Sequence, residues 1–196
     1  MILSQGISMK GFNFEKDLTH QKHAVDSTVA VFENIRLVQP TEVDKNYINP
    51  AFDFTTDSTY PQNIRAVQQY NGINEEIKRD SNIIDIMMET GTGKTYTYTK
   101  TIFELNKNYG IFKFIVVVPT LSIKAGTIDF LKSESCREHF KEQYGKTLHL
   151  HIVESQKNSK SKKSFIPPAV TSFVNAGNFE KNSIQVMIIN AGMINS

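Results

Sequence analysis

The spacing of apolar residues changes character part-way along this chain. Over residues 19–35, Val25, Thr28, Val29 and Phe32 recur at intervals of three, four and seven, which places them on one face of an amphipathic helix. A helix is expected there. From residue 37 to residue 61 the period dissolves among prolines, asparagines, acidic residues and aromatics, so this stretch reads as a long surface connection or insertion, with Phe52 and Phe54 tucked onto a core. Ile64, Val67, Ile73 and Ile77 restore helical spacing, interrupted near Asn71 and Gly72 and ending before Ser81.

The second half has another texture. Short β-branched runs at 83–88, 114–118, 148–153 and 184–189 alternate with helical stretches, the pattern of parallel strands joined by crossover helices. The expected class is α/β, a mainly parallel sheet flanked by helices. Residues 94–106 and 135–144 are the expected crossover helices. In the second of these, Ser135 and Glu138 have capping-box spacing, Phe140 and Tyr144 share a face, and Gly145 stands where a helix stops. At 196 residues the chain suffices for one such domain with a real core, and two independent ones are not expected.

Between the first strand and its helix lies Met88–Thr95, METGTGKT. A strict phosphate-loop pattern asks for glycine at position 88, but the chemistry asks for less. A triphosphate needs a strand feeding a tight turn, converging backbone N–H groups and a helix that starts there. Thr90, Gly91, Thr92, Gly93, Lys94 and Thr95 supply that turn, with Gly91 and Gly93 permitting close approach. Lys94 is placed to reach the outer phosphates, and the Thr95 hydroxyl to ligand Mg2+. These residues point to nucleoside triphosphate binding and do not say what the energy is used for.

At these residues the chain resembles superfamily 2 helicases and translocases. The run FIVVVPTLSIKAGT, residues 114–127, is similar to the next helicase motif, and VVVPTLSIKAGTIDFL followed by HFKEQYG resembles the restriction (Res) subunit of type III restriction–modification enzymes. The resemblance implies a RecA-like motor lobe over 14–196, after a leader at 1–13, that binds ATP with Mg2+ and moves on double-stranded DNA. It further implies a modification methyltransferase subunit as partner. FEKDLTHQKHAV is similar to the adenine-recognition element of these motors, and Gln21 is the residue that matches the base-reading glutamine. Its amide offers adenine both a donor and an acceptor. The turn after the second strand would lie along the DNA backbone through Thr120, Ser122, Lys124, Gly126 and Thr127, short polar groups and a lysine suited to phosphate contacts. SIQVMIINAGMI, residues 183–194, resembles a later strand of the same lobe. The acidic motif expected after it is absent, and the dipeptide DE occurs nowhere, so the chain is expected to be the front part of a longer protein that binds ATP without hydrolysing it.

Other features add little. With 22 basic and 20 acidic residues the net charge is +2, so nucleic-acid affinity would have to come from local patches. The lysine-rich stretch 157–164 reads as solvated surface. The single cysteine, Cys136, has no partner for a disulfide and fits a reducing, cytoplasmic compartment; no run is long and apolar enough to span a membrane. His149 and His151 alternate on a strand without a third metal ligand, and read as exposed-face histidines. Asp85 and Asp129 lack the setting of catalytic acids, and Tyr96, Tyr98 and Tyr109 read as packing residues. Two other functions remain open at this level: another superfamily 2 helicase or a type I restriction motor, and a nucleotide-gated binding module without motor activity.

Overall fold

The computed structural model describes residues 18–55, 58–76, 82–154, 166–179 and 181–194. The leader, Phe14, Ile77 and the lysine-rich stretch 157–164 therefore lie outside the described residues. The sheet is built around β5 (Ser183–Asn190), whose residues 184–188 are all buried. On one side β5 pairs in parallel with β3 (Lys113–Val118), and on the other with β4 (Thr147–Ile152), giving the order β3-β5-β4. Parallel neighbours need crossovers, and helices supply them. α4 (Leu121–Lys132) and α5 (Glu134–Tyr144) join β3 to β4, and α6 (Pro168–Asn175) lies between β4 and β5.

Alternation along β5 sorts the two faces. Ile184, Val186 and Ile188 pack with Phe103, Phe130, Leu131, Cys136 and Phe140, which belong to α4, α5 and the long helix α3 (Lys94–Tyr109). Phe103 and Phe140 stack with ring centroids 4.7 Å apart. Met187 faces the other way, into a smaller cluster with Val153 and Phe173. The thiol of Cys136, buried in the larger cluster, is pushed up to about 12 by loss of solvent, so it is inert at neutral pH.

The first half forms a cap beside α3. α1 (Thr19–Ala30) packs along α3, and α2 (Thr59–Tyr70) follows a small antiparallel pair, β1 (Leu37–Val38) and β2 (Ala51–Phe52). Phe52 and Phe54 are tucked in as the sequence implied. They pack on a cluster of Val31, Ile35 and Tyr60, and Phe52 stacks on Phe32 at 4.6 Å.

Several expectations are corrected. The first helix ends at Ala30, short of residue 35, and the chain then turns through Asn34, at φ 59. Residues 83–88 join no ladder, although their composition matches the other strands. An apolar groove of about 400 Å³ is lined by Ile86 and Met88 of this segment, by α3, and by Phe114 and Val116 of β3. Ser133, not Ser135, caps α5, its hydroxyl accepting from the Cys136 N–H. His149 and His151 do share a face, with rings 4.8 Å apart, but His151 is buried against Gln185 Oε1 at 2.9 Å. Burial holds its imidazole below the usual histidine range, favouring the neutral ring.

The aromatic stack is the heart of the larger cluster. Phe103→Ala should lower the unfolding free energy by about 3–5 kcal/mol, the usual range for removing a buried phenyl ring, as read by urea denaturation. A loss below about 1 kcal/mol would mean that α3 is not anchored there.

Candidate nucleotide site

The loop ahead of α3 is shaped by its own short-range hydrogen bonds. Thr92 Oγ1 donates to the Glu89 carbonyl at 2.7 Å, and Lys94 Nζ donates to the same oxygen at 2.9 Å. Gly91 and Gly93 sit at φ 85 and φ 86, in the left-handed region where a side chain is strained. At Gly93 there is a second reason for glycine. A Cβ there would lie 2.3 Å from Gln21 Nε2, whereas at Gly91 it would meet nothing within 4 Å.

Gln21 and its neighbour His20 hold the loop from behind. Gln21 Nε2 donates to the Thr92 carbonyl at 3.0 Å, and His20 Nε2 lies 3.0 Å from the same oxygen. A carbonyl only accepts, so His20 must carry its proton on Nε2. The peptide bonds are trans, so turning the Thr92 carbonyl toward α1 aims the Gly93 N–H the opposite way, into the open side of the turn. Thr97 N–H then makes the first helical bond, to the Gly93 carbonyl at 3.0 Å. That leaves Lys94 and Thr95 N–H in the first turn without intrahelical acceptors, at the positive end of a 16-residue helix.

These features suit an anion. Backbone donors, a helix N-terminus and the exposed Lys94 ammonium converge where a polyphosphate would lie, and Lys94 need only leave a loop carbonyl to reach it. Thr95, half-buried in the first turn, places one hydroxyl nearby. Among the described residues no cluster of three or more His, Cys, Asp or Glu could hold a metal alone. A cation such as Mg2+ bound here would therefore take most of its oxygens from phosphate and water, as Mg2+ commonly does. Beside the loop a groove of about 490 Å³ is bordered by His20, His23, Asn71, Asp85 and Thr92.

The fold thus brings Gln21 together with residues 90–95. Gln21 is only 7% exposed and its Nε2 is spent on the loop, which leaves Oε1 for a ligand; sequence reasoning treated it as a free base reader. His20 was missed. Nothing local marks it, because its contact is with a residue 72 positions away. Tyr96 is buried and packs near Phe140, at 5.5 Å, as a core residue does.

The stretch after β3 is not the open turn that the sequence suggested. Thr120 caps α4, its hydroxyl accepting from the Ile123 N–H at 3.2 Å, and the helix begins at Leu121. Ser122 and Gly126 are exposed. Lys124 and Thr127 are not: at 4% and 3% exposure they face inward, and the spacing of Lys124, Thr127 and Leu131 along a helix could have revealed it. Thr127 Oγ1 accepts from the Tyr98 hydroxyl of α3 at 3.3 Å, and Lys124 donates to the Val153 carbonyl.

The profile of the family described as type III restriction enzyme, res subunit, matches residues 16–196. The chain belongs to that family. It is 52% identical over 193 residues to the Res subunit of the type III restriction-modification enzyme EcoPI of Escherichia phage P1, covering 95% of this chain and 20% of that protein. With the EcoP15I Res subunit of Escherichia coli it shares 50% over 192 residues, again 95% and 20%. With the StyLTI Res subunit of Salmonella typhimurium the identity is 35% over 184 residues, 92% of this chain and 16% of the relative. The chain thus spans about one-fifth of the length of the first two curated relatives. The parallel sheet with flanking helices is the α/β, RecA-like lobe expected of a Res subunit. Among the described residues no helix is long and apolar enough to cross a membrane.

The brace and the cradle can be separated by calorimetry with ATP and Mg2+. Lys94→Ala removes a charge-assisted contact of about 1.5–3 kcal/mol, roughly a ten- to hundredfold loss in affinity. Gly93→Ala, which drives a methyl into Gln21, should lose at least as much while the thermal transition persists. Unchanged affinity in both variants would place the nucleotide elsewhere.

Proposed function

We propose that this chain is the ATP-binding part of an ATP-dependent DNA translocase, the Res subunit of a type III restriction endonuclease. The observation that carries the reading is the loop at 89–95, with both glycines in left-handed geometry, its Thr92 carbonyl held toward α1, and Lys94 and Thr95 opening α3. ATP is the proposed ligand, with Thr90, Gly91, Thr92, Gly93 and Lys94 around the phosphates and Thr95 on Mg2+. Gln21 Oε1 and the groove beside Thr92 are the proposed surroundings of the base. In the whole enzyme, double-stranded DNA and a modification methyltransferase subunit are the proposed partners, the relatives being subunits of restriction-modification enzymes by name.

DNA contact is proposed at the carboxyl end of β3, through the exposed Thr120, Ser122 and Gly126. α3 leads into β3 through a short connection and packs along the sheet, so Lys94 and the end of β3 lie toward the same end of the fold. ATP and DNA would then meet one surface. Ligands in open α/β sheets commonly bind outside the carboxyl ends of the strands.

Binding and hydrolysis separate in this account. In-line attack on the terminal phosphate calls for carboxylates that orient water and Mg2+, and for cations that neutralise the developing charge. This chain is proposed to supply the cradle alone. By analogy with other triphosphatases, lack of an arginine contribution alone costs about 10³–10⁵ in rate. The expected result is ATP binding with negligible phosphate release from the purified chain, with or without duplex DNA, using Lys94→Ala to expose contamination. DNA-stimulated turnover of order one per second, abolished by that substitution, would show that the chain completes the hydrolytic site.

A further inference from the structure

Lys124 is the most buried lysine among the described residues. Its side chain is 5% exposed, its ammonium donates to the Val153 carbonyl, and the Glu154 carboxylate lies 3.6 Å away. An ammonium survives burial only when hydrogen-bonded and paired, and both partners here are the consecutive residues that follow β4. Their backbone is itself fixed, because the Val153 N–H donates to the Ile188 carbonyl of β5 at 3.0 Å. Lys124 stands in the first turn of α4, directly after β3.

β3 and β4 are not neighbours, since β5 lies between them. Lys124 therefore spans the carboxyl end of the central strand and ties the exit of one outer strand to the exit of the other. One turn further along the same face, Thr127 takes the Tyr98 hydroxyl of α3, whose start carries the nucleotide loop. The inner face of α4 is thus bonded to the loop helix on one side and to the end of β4 on the other.

We infer that Lys124 is a positioning residue: it sets the spacing of the two strand exits at the carboxyl end of the sheet and takes no DNA phosphate itself. The spacing claim stands on the fold alone. Its link to DNA rests on the proposed function. A lysine that reads phosphates sits in solvent with its donors available. This one would have to abandon the Val153 carbonyl and leave its buried place, while the Glu154 carboxylate, 78% exposed, would stay hydrated.

Three measurements on this chain test the inference. Acetylation of lysine amines in the wild type should modify Lys124 at least tenfold more slowly than Lys132, which is exposed in the last turn of the same helix. Equal rates would overturn the inference without any variant. Lys124→Met keeps most of the apolar stem and removes the charge; amide exchange at Val153, Glu154 and the first turn of α4 should then rise about tenfold, and unchanged exchange would overturn the strut. The third measurement is affinity for a short duplex as a function of salt. Lys124→Met should weaken binding severalfold at every salt concentration with the same slope of log affinity against log salt. A slope smaller by about 0.9, the value of one phosphate contact, would show that Lys124 is a DNA ligand and sink the proposal. If the wild type binds no duplex, the proposed DNA surface fails, and the labelling and exchange results still decide the strut.

Discussion

The shape of the loop at 89–95 depends on one backbone oxygen. The Thr92 carbonyl takes donors from Gln21 and His20, 71 and 72 residues earlier, in a turn whose two glycines would otherwise leave it many conformations. Each such bond contributes only about 1 kcal/mol to stability. Their larger effect is directional. With the carbonyl committed to α1, the N–H of the same peptide plane faces away from it, and the following donors of α3 continue that orientation. Pre-arranged donors bind an anion without first having to be ordered, which is where binding sites gain much of their affinity.

That arrangement requires α1 to be rigid against α3, and α3 against the sheet. α1 lies along α3 with its Val25 buried, while Phe103 of α3 is stacked on Phe140 of α5 over the buried face of β5. The hydrogen bond from Tyr98 to Thr127 carries the connection on to α4. In the proposed function, ATP and DNA would meet this lobe at two surfaces. In this lobe the two proposed surfaces are joined by few intermediates, all of them packed or hydrogen-bonded.

The strands of the ladder were legible as short apolar, β-branched runs, most fully in the central SIQVMIIN, whose residues 184–188 are buried on both faces; in FIVVV the apolar Ile115 and Val117 are 56% and 47% exposed all the same. The same property misled at 83–88. Ile83 is 72% and Met87 98% exposed, so an apolar run reports a demand for burial without naming a partner to satisfy it. The glycines, Lys94 and Thr95 were legible because phosphate chemistry fixes residue types at short spacing. Gln21 was found only through resemblance, and its second task, bracing the loop, depends on a contact that no local pattern encodes. Lys124 was misplaced for a simpler reason: the passage after β3 was read as a turn, and only as a helix does it direct residues 124, 127 and 131 to one inner face.

The central claim is that the segment 90–95, braced by α1, is where ATP is held. Amide exchange with and without ATP and Mg2+ measures this directly, because phosphate oxygens that accept from backbone N–H groups slow their exchange. The account predicts protection concentrated at residues 91–95, with smaller protection at the start of α1 and little change at β4 and α6. ATP binding accompanied by protection elsewhere, with exchange at 91–95 unaltered, would contradict it.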